Sequence, residues 1–432
     1  MDSSRQQSTE EYNPFEHRQI KNANSTLESF VHVIKASFGT GILALPLAFK
    51  NGGLLFGIPG TILVASVYTH CIRMLVSTSW KVCKLSKVPL LDYAKTAECV
   101  FLHSKVDLKK YKYVMRSVVN TMLFMGNTFT IGIYLVFIAT NLRSVINSET
   151  SIDWSIRIYI LLVGAFIAII SQIRELKYLV PLSLLANFSL LLTFAISMYY
   201  IFEKPFSLEN RNLWPDFAGL PSFFATIAFA IEGASLVLPV ENKMKNPENY
   251  LKPLGVVNVA LACITVLCLT TGFSGYATFG DEIQGSVTLN LPTDEALAKS
   301  TQLLAAGAIL LTTGLYYYVP MEILWGAIEP KVPVKRHNLA QITMRFSHCL
   351  FVTGSALLVP NLGSFIDFVG AIVSVSTSMI IPIVLDTALR WPGDFGRMKW
   401  RLWKNGLLGA FACLILVTGT FYSIKDIVNM YR

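Results

Sequence analysis

Two titratable side chains, His32 and Glu232, lie inside apolar stretches of this 432-residue chain, and an ionisable group at membrane depth is a functional candidate by default. An imidazole titrating near neutrality suits proton exchange, and Glu28, His32 and Lys35 share one helical face at i, i+4 and i+7 spacing. A carboxyl group far from water and cations favours its neutral acid, whereas an arriving ammonium favours the charged form. Glu232 therefore offers a link between proton release and cation binding; alternatively, its acid form hydrogen-bonds across a helix break and holds two half helices in register. A second constellation is Ser37, Gly39, Thr40 and Gly41, within FVHVIKASFGTGILALPLAF from Phe30 to Phe49. Glycine costs roughly 1 kcal/mol against alanine in a helix interior, and Pro46 lacks an N–H and clashes one turn back. The spacing predicts a helix broken across Gly39 to Pro46. N–H groups at the positive end of a half helix suit a carboxylate, and freed carbonyls suit an ammonium, a combination that describes an amino-acid zwitterion. The competing explanation is packing, with Gly39 and Gly41 admitting a neighbouring helix.

The elements that must position these residues are membrane spans. The chain is 53% hydrophobic and 15% charged, and its length is too great for one ordinary soluble core. Apolar runs predict eleven spans: Phe30 to Phe49, Leu54 to Val76, Val118 to Ile146, Ile156 to Ile173, Tyr178 to Ile201, Pro221 to Val240, Leu254 to Phe279, Leu303 to Val319, Ile342 to Val359, Leu362 to Leu385 and Leu407 to Ile424. The sixth repeats the peculiarity of the first. Gly41-Ile42-Leu43-Ala44-Leu45-Pro46 matches Ala234-Ser235-Leu236-Val237-Leu238-Pro239 as small-x-Leu-x-Leu-Pro. Interrupted spans in corresponding places point to an inverted repeat with its site between the halves. The expected fold is an all-α membrane protein of eleven transmembrane helices, a five-plus-five inverted repeat with discontinuous first and sixth helices. Repeat one covers about 28–201, repeat two about 221–385 and an extra span 405–425.

Orientation follows from charge. With the N-terminus inside, cytoplasmic segments hold 25 Lys and Arg residues against 8 outside, so the N-terminus is expected in the cytoplasm and the short 426–432 tail outside or in a lumen. Residues 1–27 are polar with no apolar core, predicting a disordered cytoplasmic tail without a cleavable signal; the Asn24-Ser25-Thr26 acceptor is then expected to stay unmodified. The lysine-rich connector Ser77 to Met115, with a helix-compatible Leu91 to Leu102, is either an interfacial segment on an anionic leaflet or a solvated link. The net charge of +9 is spread among hydrophobic spans, where it orients the chain, so nucleic-acid binding is excluded as a function class. The seven cysteines imply neither a disulfide framework nor a metal site.

The runs from His32 to Pro46 and from Phe229 to Lys245, together with Tyr276 to Gly280, Tyr318 to Glu322 and Val359 to Leu362, resemble the proton-assisted amino-acid transporter branch of the amino acid/auxin permease family. The likeness runs from Asn24 onward. It implies eleven spans, a five-plus-five repeat and uptake of small neutral amino acids with a proton, at the plasma membrane or an endosomal or lysosomal membrane. On that resemblance Ser37, Gly39, Thr40 and Gly41 hold the substrate carboxylate, Phe229, Glu232 and Gly233 form the opposite wall, and His32 corresponds to the first-span histidine linked to proton coupling. One departure is the lack of cysteine in an exterior loop, where some relatives carry a disulfide.

Other polar residues have plainer explanations beside functional ones. Lys35 snorkels to the inner leaflet or serves a relay; Glu322, Asp367 and Asp386 lie near span ends, solvated or forming gates. Thr312 and Thr313 bond back to their own helix or supply oxygens to sodium. No nucleophile motif, metal-ligand cluster or phosphate loop is present, so enzymatic chemistry and a bound cofactor are not expected. The expected activity is proton-coupled amino-acid symport, with a sodium-coupled or uncoupled carrier, or an amino-acid-sensing membrane protein with little flux, as the alternatives.

Overall fold

The computed structural model describes residues 12–21, 23–37, 39–150, 153–209 and 211–432. Among them the ordered elements are helices. The first expected span is α1 (Thr26–Ser37), α2 (Thr40–Leu43) and α3 (Leu45–Gly52); α4 (Leu54–Ser86) is the second. The connector carries α5 (Tyr93–His103), then come α6 (Lys112–Glu149), α7 (Ile156–Ile170) and α8 (Leu176–Glu203). The sixth span is α9 (Gly219–Ala230) and α10 (Ala234–Asn242), followed by α11 (Val256–Phe279), α12 (Ala296–Ile328) and α13 (His337–Leu358). The tenth runs from α14 (Leu362–Val369) through π-helical Gly370–Ser374 and Ser376–Ile380 into α15 (Ile381–Arg390), and α16 (Trp400–Asn429) is last. Side-chain caps set several starts: Asp92 accepts from the Lys95 N–H at 2.7 Å before α5, and Asn361 from the Ser364 N–H at 3.1 Å before α14.

Eight of these stretches, among the described residues, are long and apolar enough to cross a membrane. The three expected spans outside that set each have a physical reason. The first is broken, α7 has only 15 residues, and α13 carries Arg345 and His348. Arg345 and His348 are both buried and used: Arg345 donates to the Ser171 carbonyl at the C-terminus of α7 at 2.6 Å, and His348 shares a 3.0 Å hydrogen bond with Thr128 of α6.

Two layers of packing frame the centre. Helix α12 lies against α6 and α8, while α3, α9, α11 and the tenth span pack around the two breaks. The tenth span is the most enclosed, with 78% of its apolar window buried against 22% for α16, so the tenth can carry polar groups to the core while α16 faces outward. Within the connector α5 buries Tyr93, Ala94, Thr96, Ala97 and Val100 and packs on α6 and α4, while Leu90, Val106, Lys109, Lys110 and Tyr111 on either side of it are exposed.

The N-terminal segment also departs from expectation. Residues 1–11 lie outside the described residues, but from Tyr12 the segment expected to be disordered is docked. Phe15 meets Trp80 of α4 edge to face at 5.2 Å, and Arg18 pairs with Glu241 of α10. The Asn24 N–H donates to the Lys243 carbonyl at 2.8 Å, and the Lys245 N–H to the Asn24 carbonyl at 2.9 Å. A polar composition did not disclose that one aromatic and one arginine would find buried partners.

Candidate functional site

In the first span the helix stops at Ser37, residue 38 lies outside the described set, and Gly39 is extended at φ −170° and ψ −158° before α2 begins. The interruption is thus at Gly39, narrower than the expected Gly39 to Pro46. Pro46 occupies the second position of α3, where its missing N–H is tolerated. Between α2 and α3 the chain only adjusts its register, the Ala44 N–H reaching both the Thr40 and Gly41 carbonyls at 3.2 Å. The opening N–H groups of α2 have no intrahelical acceptors and point their partial positive charge toward the break.

The sixth span breaks after Ala230. Ile231 ends α9, Glu232 and Gly233 lie outside both helices, and the Gly233 N–H donates to Tyr68 Oη of α4 at 2.8 Å. The Glu232 carboxyl faces the π-helical tenth span, in contact with Ser374 Oγ on one oxygen and with Thr377 Oγ1 at 3.2 Å on the other. Irregular helix in a tightly enclosed span turns these two hydroxyls onto one carboxyl, as π-bulges often do at functional sites. Thr377 is backed in turn by the connector, since Tyr93 Oη donates to the Thr377 carbonyl at 2.5 Å.

One cavity joins the two breaks. Ser37, Gly39, Thr40 and Gly41 line it from the first span, and Phe229, Glu232 and Gly233 from the sixth. These are the seven residues expected to contact substrate. His32 is not among them: it is exposed on α1, on a face shared with exposed Glu28. Lys35 is half-buried on the same helix.

The two glycines of the first break differ in what a side chain would meet. A Cβ at Gly41 would fall 2.7 Å from Ala230 Cα and 3.3 Å from Phe229 Cδ1, so this glycine lets α2 touch the end of α9. At Gly39 a Cβ would find only Tyr134 Oη at 3.8 Å. The packing explanation therefore holds for Gly41, and Gly39 instead keeps the cavity wide.

Several lining residues escaped sequence reasoning. Tyr134 of α6 and Tyr316 of α12 meet edge to face at 5.0 Å and form an aromatic wall; Asn127, Thr130, Ser235 and Thr377 add polar groups. Asn127, one of three asparagines in the Val118 to Ile146 run, and the Ser374-Val375-Ser376-Thr377-Ser378 cluster were the available signals. The threonines considered for sodium bond back to their own helix, Thr312 to Ala308 and Thr313 to Ile309, both at 2.8 Å. Asp367, placed near a span end, is buried against Ser222 and Thr226 of α9, and Asn51 of α3 donates to Ser222 Oγ at 2.8 Å. Asp386 is buried too, paired with Arg390 at 2.7 Å and Asn405 at 3.1 Å, while Glu322 is exposed.

Chemically, the cavity offers helix-start N–H groups on one side, a carboxyl on the other and aromatic walls between. A Drosophila melanogaster protein described as a proton-coupled amino acid transporter-like protein, pathetic, is 32% identical over 423 residues, covering 98% of this chain and 89% of the relative. The probable amino acid transporter skat-1 of Caenorhabditis elegans is 23% identical over 409 residues, 92% of this chain and 89% of that one. The fold resembles that of Mhp1, a nucleobase-cation-symport-1 family transporter solved in a closed conformation with bromovinylhydantoin bound; the TM-score is 0.54 at 11% identity, covering 95% of this chain and 93% of that one. The model of the transmembrane amino acid transporter protein family matches residues 22–425. With that match over nearly its whole length, the chain belongs to this family, the amino acid/auxin permeases, and is a multi-pass membrane transporter of amino acids rather than an enzyme.

Proposed function

We propose that the cavity binds one small neutral amino acid and that the protein carries it across the membrane with a proton, its two halves rocking around the breaks. The observation that carries this reading is the meeting of both helix interruptions across one cavity, with the α2 N–H groups opposite Glu232. A substrate carboxylate sits against Gly39, Thr40 and Gly41, its ammonium lies toward Glu232, and Phe229, Tyr134 and Tyr316 confine the side chain. The close approach of the two tyrosines favours small side chains.

Hydrogen-bond arithmetic supports a proton on Glu232. Thr377 Oγ1 lies 2.9 Å from the Val373 carbonyl as well as 3.2 Å from Glu232 Oε1, and a hydroxyl has one hydrogen. With that hydrogen on the helix carbonyl, a protonated Glu232 donates to Thr377 Oγ1 and every partner is satisfied. The neutral acid keeps its proton while its carbonyl oxygen accepts from the substrate ammonium, so proton and amino acid occupy the cavity together and cross as a pair. His32 is the second proton-coupling candidate, acting outside the cavity. Thr312 and Thr313 each donate to their own helix and keep oxygen lone pairs, so the choice between proton and sodium rests on the uptake test below. The name of the Drosophila relative supports proton coupling. We further assign eleven spans in a five-plus-five inverted repeat, a cytoplasmic N-terminus by charge asymmetry, and residence at the plasma membrane or an endosomal or lysosomal membrane.

The test is uptake of labelled amino acids into proteoliposomes with pH and sodium gradients imposed separately. Accumulation of small neutral amino acids driven by an inward proton gradient without sodium is expected. Accumulation driven by sodium alone overturns proton coupling; saturable binding without flux overturns transport in favour of a sensor.

A further inference from the structure

Away from the cavity, a groove opens on the outer surface between α4 and α11. Its length is apolar, with Ile62, Leu261, Val266 and Leu269 among its walls, and Ile62 and Val266 are 46% and 61% exposed. Its end nearest the N-terminal segment is basic. His70 and Arg73, at i and i+3 on α4, line it together with Asn258 of α11. Arg73 is held in position: its Nη1 donates to Asn258 Oδ1 at 3.0 Å, and Asn258 Nδ2 is fixed by the Lys252 and Pro253 carbonyls at 3.3 and 2.8 Å. A second cation, Lys404 of α16, donates to His70 Nε2 at 2.8 Å. Among the described residues neither Arg73 nor Lys404 has a carboxylate at ion-pair distance; the nearby Asp386 is itself paired with Arg390 at 2.7 Å, so half-buried Arg73 stands at the groove with no ion-pair partner and Lys404 lies behind His70. An arginine carries five N–H donors, and only one is spent on Asn258.

The depth matches a lipid. Asn258 is two residues into α11 and Lys404 four into α16, so the basic end lies at the helix ends, where headgroups lie. From Asn258 to Leu269, and antiparallel from Arg73 to Ile62, the groove extends eleven residues, roughly 16 Å at helical rise, the reach of most of an acyl chain. An apolar trough that ends at an arginine without an ion-pair partner, with a lysine one side chain behind it, is complementary to a molecule with a hydrocarbon tail and an anionic head.

We propose that this groove is a binding site for an anionic phospholipid of the leaflet on the side of the N-terminal segment, its phosphate on Arg73 with Lys404 as the second cation, and its acyl chain between α4 and α11. The test uses the full chain in detergent, with phosphatidylglycerol and phosphatidylcholine added in turn and bound lipid counted by native mass spectrometry, a readout independent of transport. Wild type is expected to retain phosphatidylglycerol in preference to phosphatidylcholine. In Arg73→Gln and Lys404→Gln the preference falls about fivefold per charge, the factor for one basic residue beside an anionic surface. Arg73→Lys keeps most of it. Val266→Trp, on an exposed wall of the trough, fills it without altering charge and lowers retention of both lipids. As a control for the general basic charge, Lys109→Gln with Lys110→Gln, outside the groove, leaves the preference unchanged. Equal retention of the two lipids by wild type, undiminished preference in Arg73→Gln, or an equal loss in the Lys109/Lys110 control each overturns the proposal. Thermal unfolding of each variant in detergent separates lost lipid from lost fold.

Discussion

The Arg18 guanidinium lies 2.9 Å from Glu241 Oε1, and the two side chains are only 3% and 1% exposed. The same carboxylate oxygen accepts from Trp80 Nε1 at 2.8 Å, while Arg18 Nε donates to the Pro89 carbonyl at 3.0 Å. A chain segment ahead of the first helix is thereby fastened to α4, α10 and the connector at once. Arg18→Ala leaves a buried carboxylate without its cation and is expected to cost on the order of 3 kcal/mol. Glu241→Gln costs less, because Arg18 keeps the Pro89 carbonyl and Trp80 keeps an acceptor. Thermal unfolding in detergent and the rate of trypsin cleavage after exposed Lys21 measure both effects; equal stability of Arg18→Ala and wild type would mean that the pair contributes nothing net.

The two glycines of the first break are expected to fail differently. Gly41→Ala drives a methyl group into Ala230, so it should lower stability by about 1 to 3 kcal/mol, the usual cost of overpacking, and reduce folded yield. Gly39→Ala fits the extended backbone and should fold normally, yet narrow the cavity and weaken substrate uptake. Size-exclusion profiles and uptake, measured together, distinguish them.

Glu232→Gln preserves size and both hydroxyl contacts, since an amide can accept from Ser374 and donate to Thr377. It should fold, exchange substrate, and lose the dependence of net uptake on an inward proton gradient. His32→Ala, outside the cavity, tests the second proton site; if it alone flattens the pH profile, coupling runs through α1 and Glu232 is structural.

Tyr316→Ala removes half of the aromatic pair and opens the wall opposite the breaks. Competition experiments should show larger neutral amino acids inhibiting uptake that wild type resists, with a modest loss of affinity for small ones. An unchanged selectivity profile would remove Tyr134 and Tyr316 from substrate discrimination.

Much of this architecture is written locally. A hydrophobic majority dictates a membrane protein whatever the packing, because those side chains need hydrocarbon or one another. Gly39 interrupts a helix through its own backbone, and Glu232 declares itself because a carboxyl among apolar neighbours is expensive. Other features depended on chain segments far apart in sequence. That Gly41 touches Ala230, that Ser374 and Thr377 receive Glu232, and that Tyr134 meets Tyr316 are products of how helices stack, and no neighbour-by-neighbour property encodes them. Nor does composition reveal that Arg18 docks on Glu241 or that α5 turns Tyr93 toward Thr377. Propensity and burial cost act within a few residues and are legible in the sequence; which groups share a cavity was decided only when the tertiary structure brought distant helices into contact.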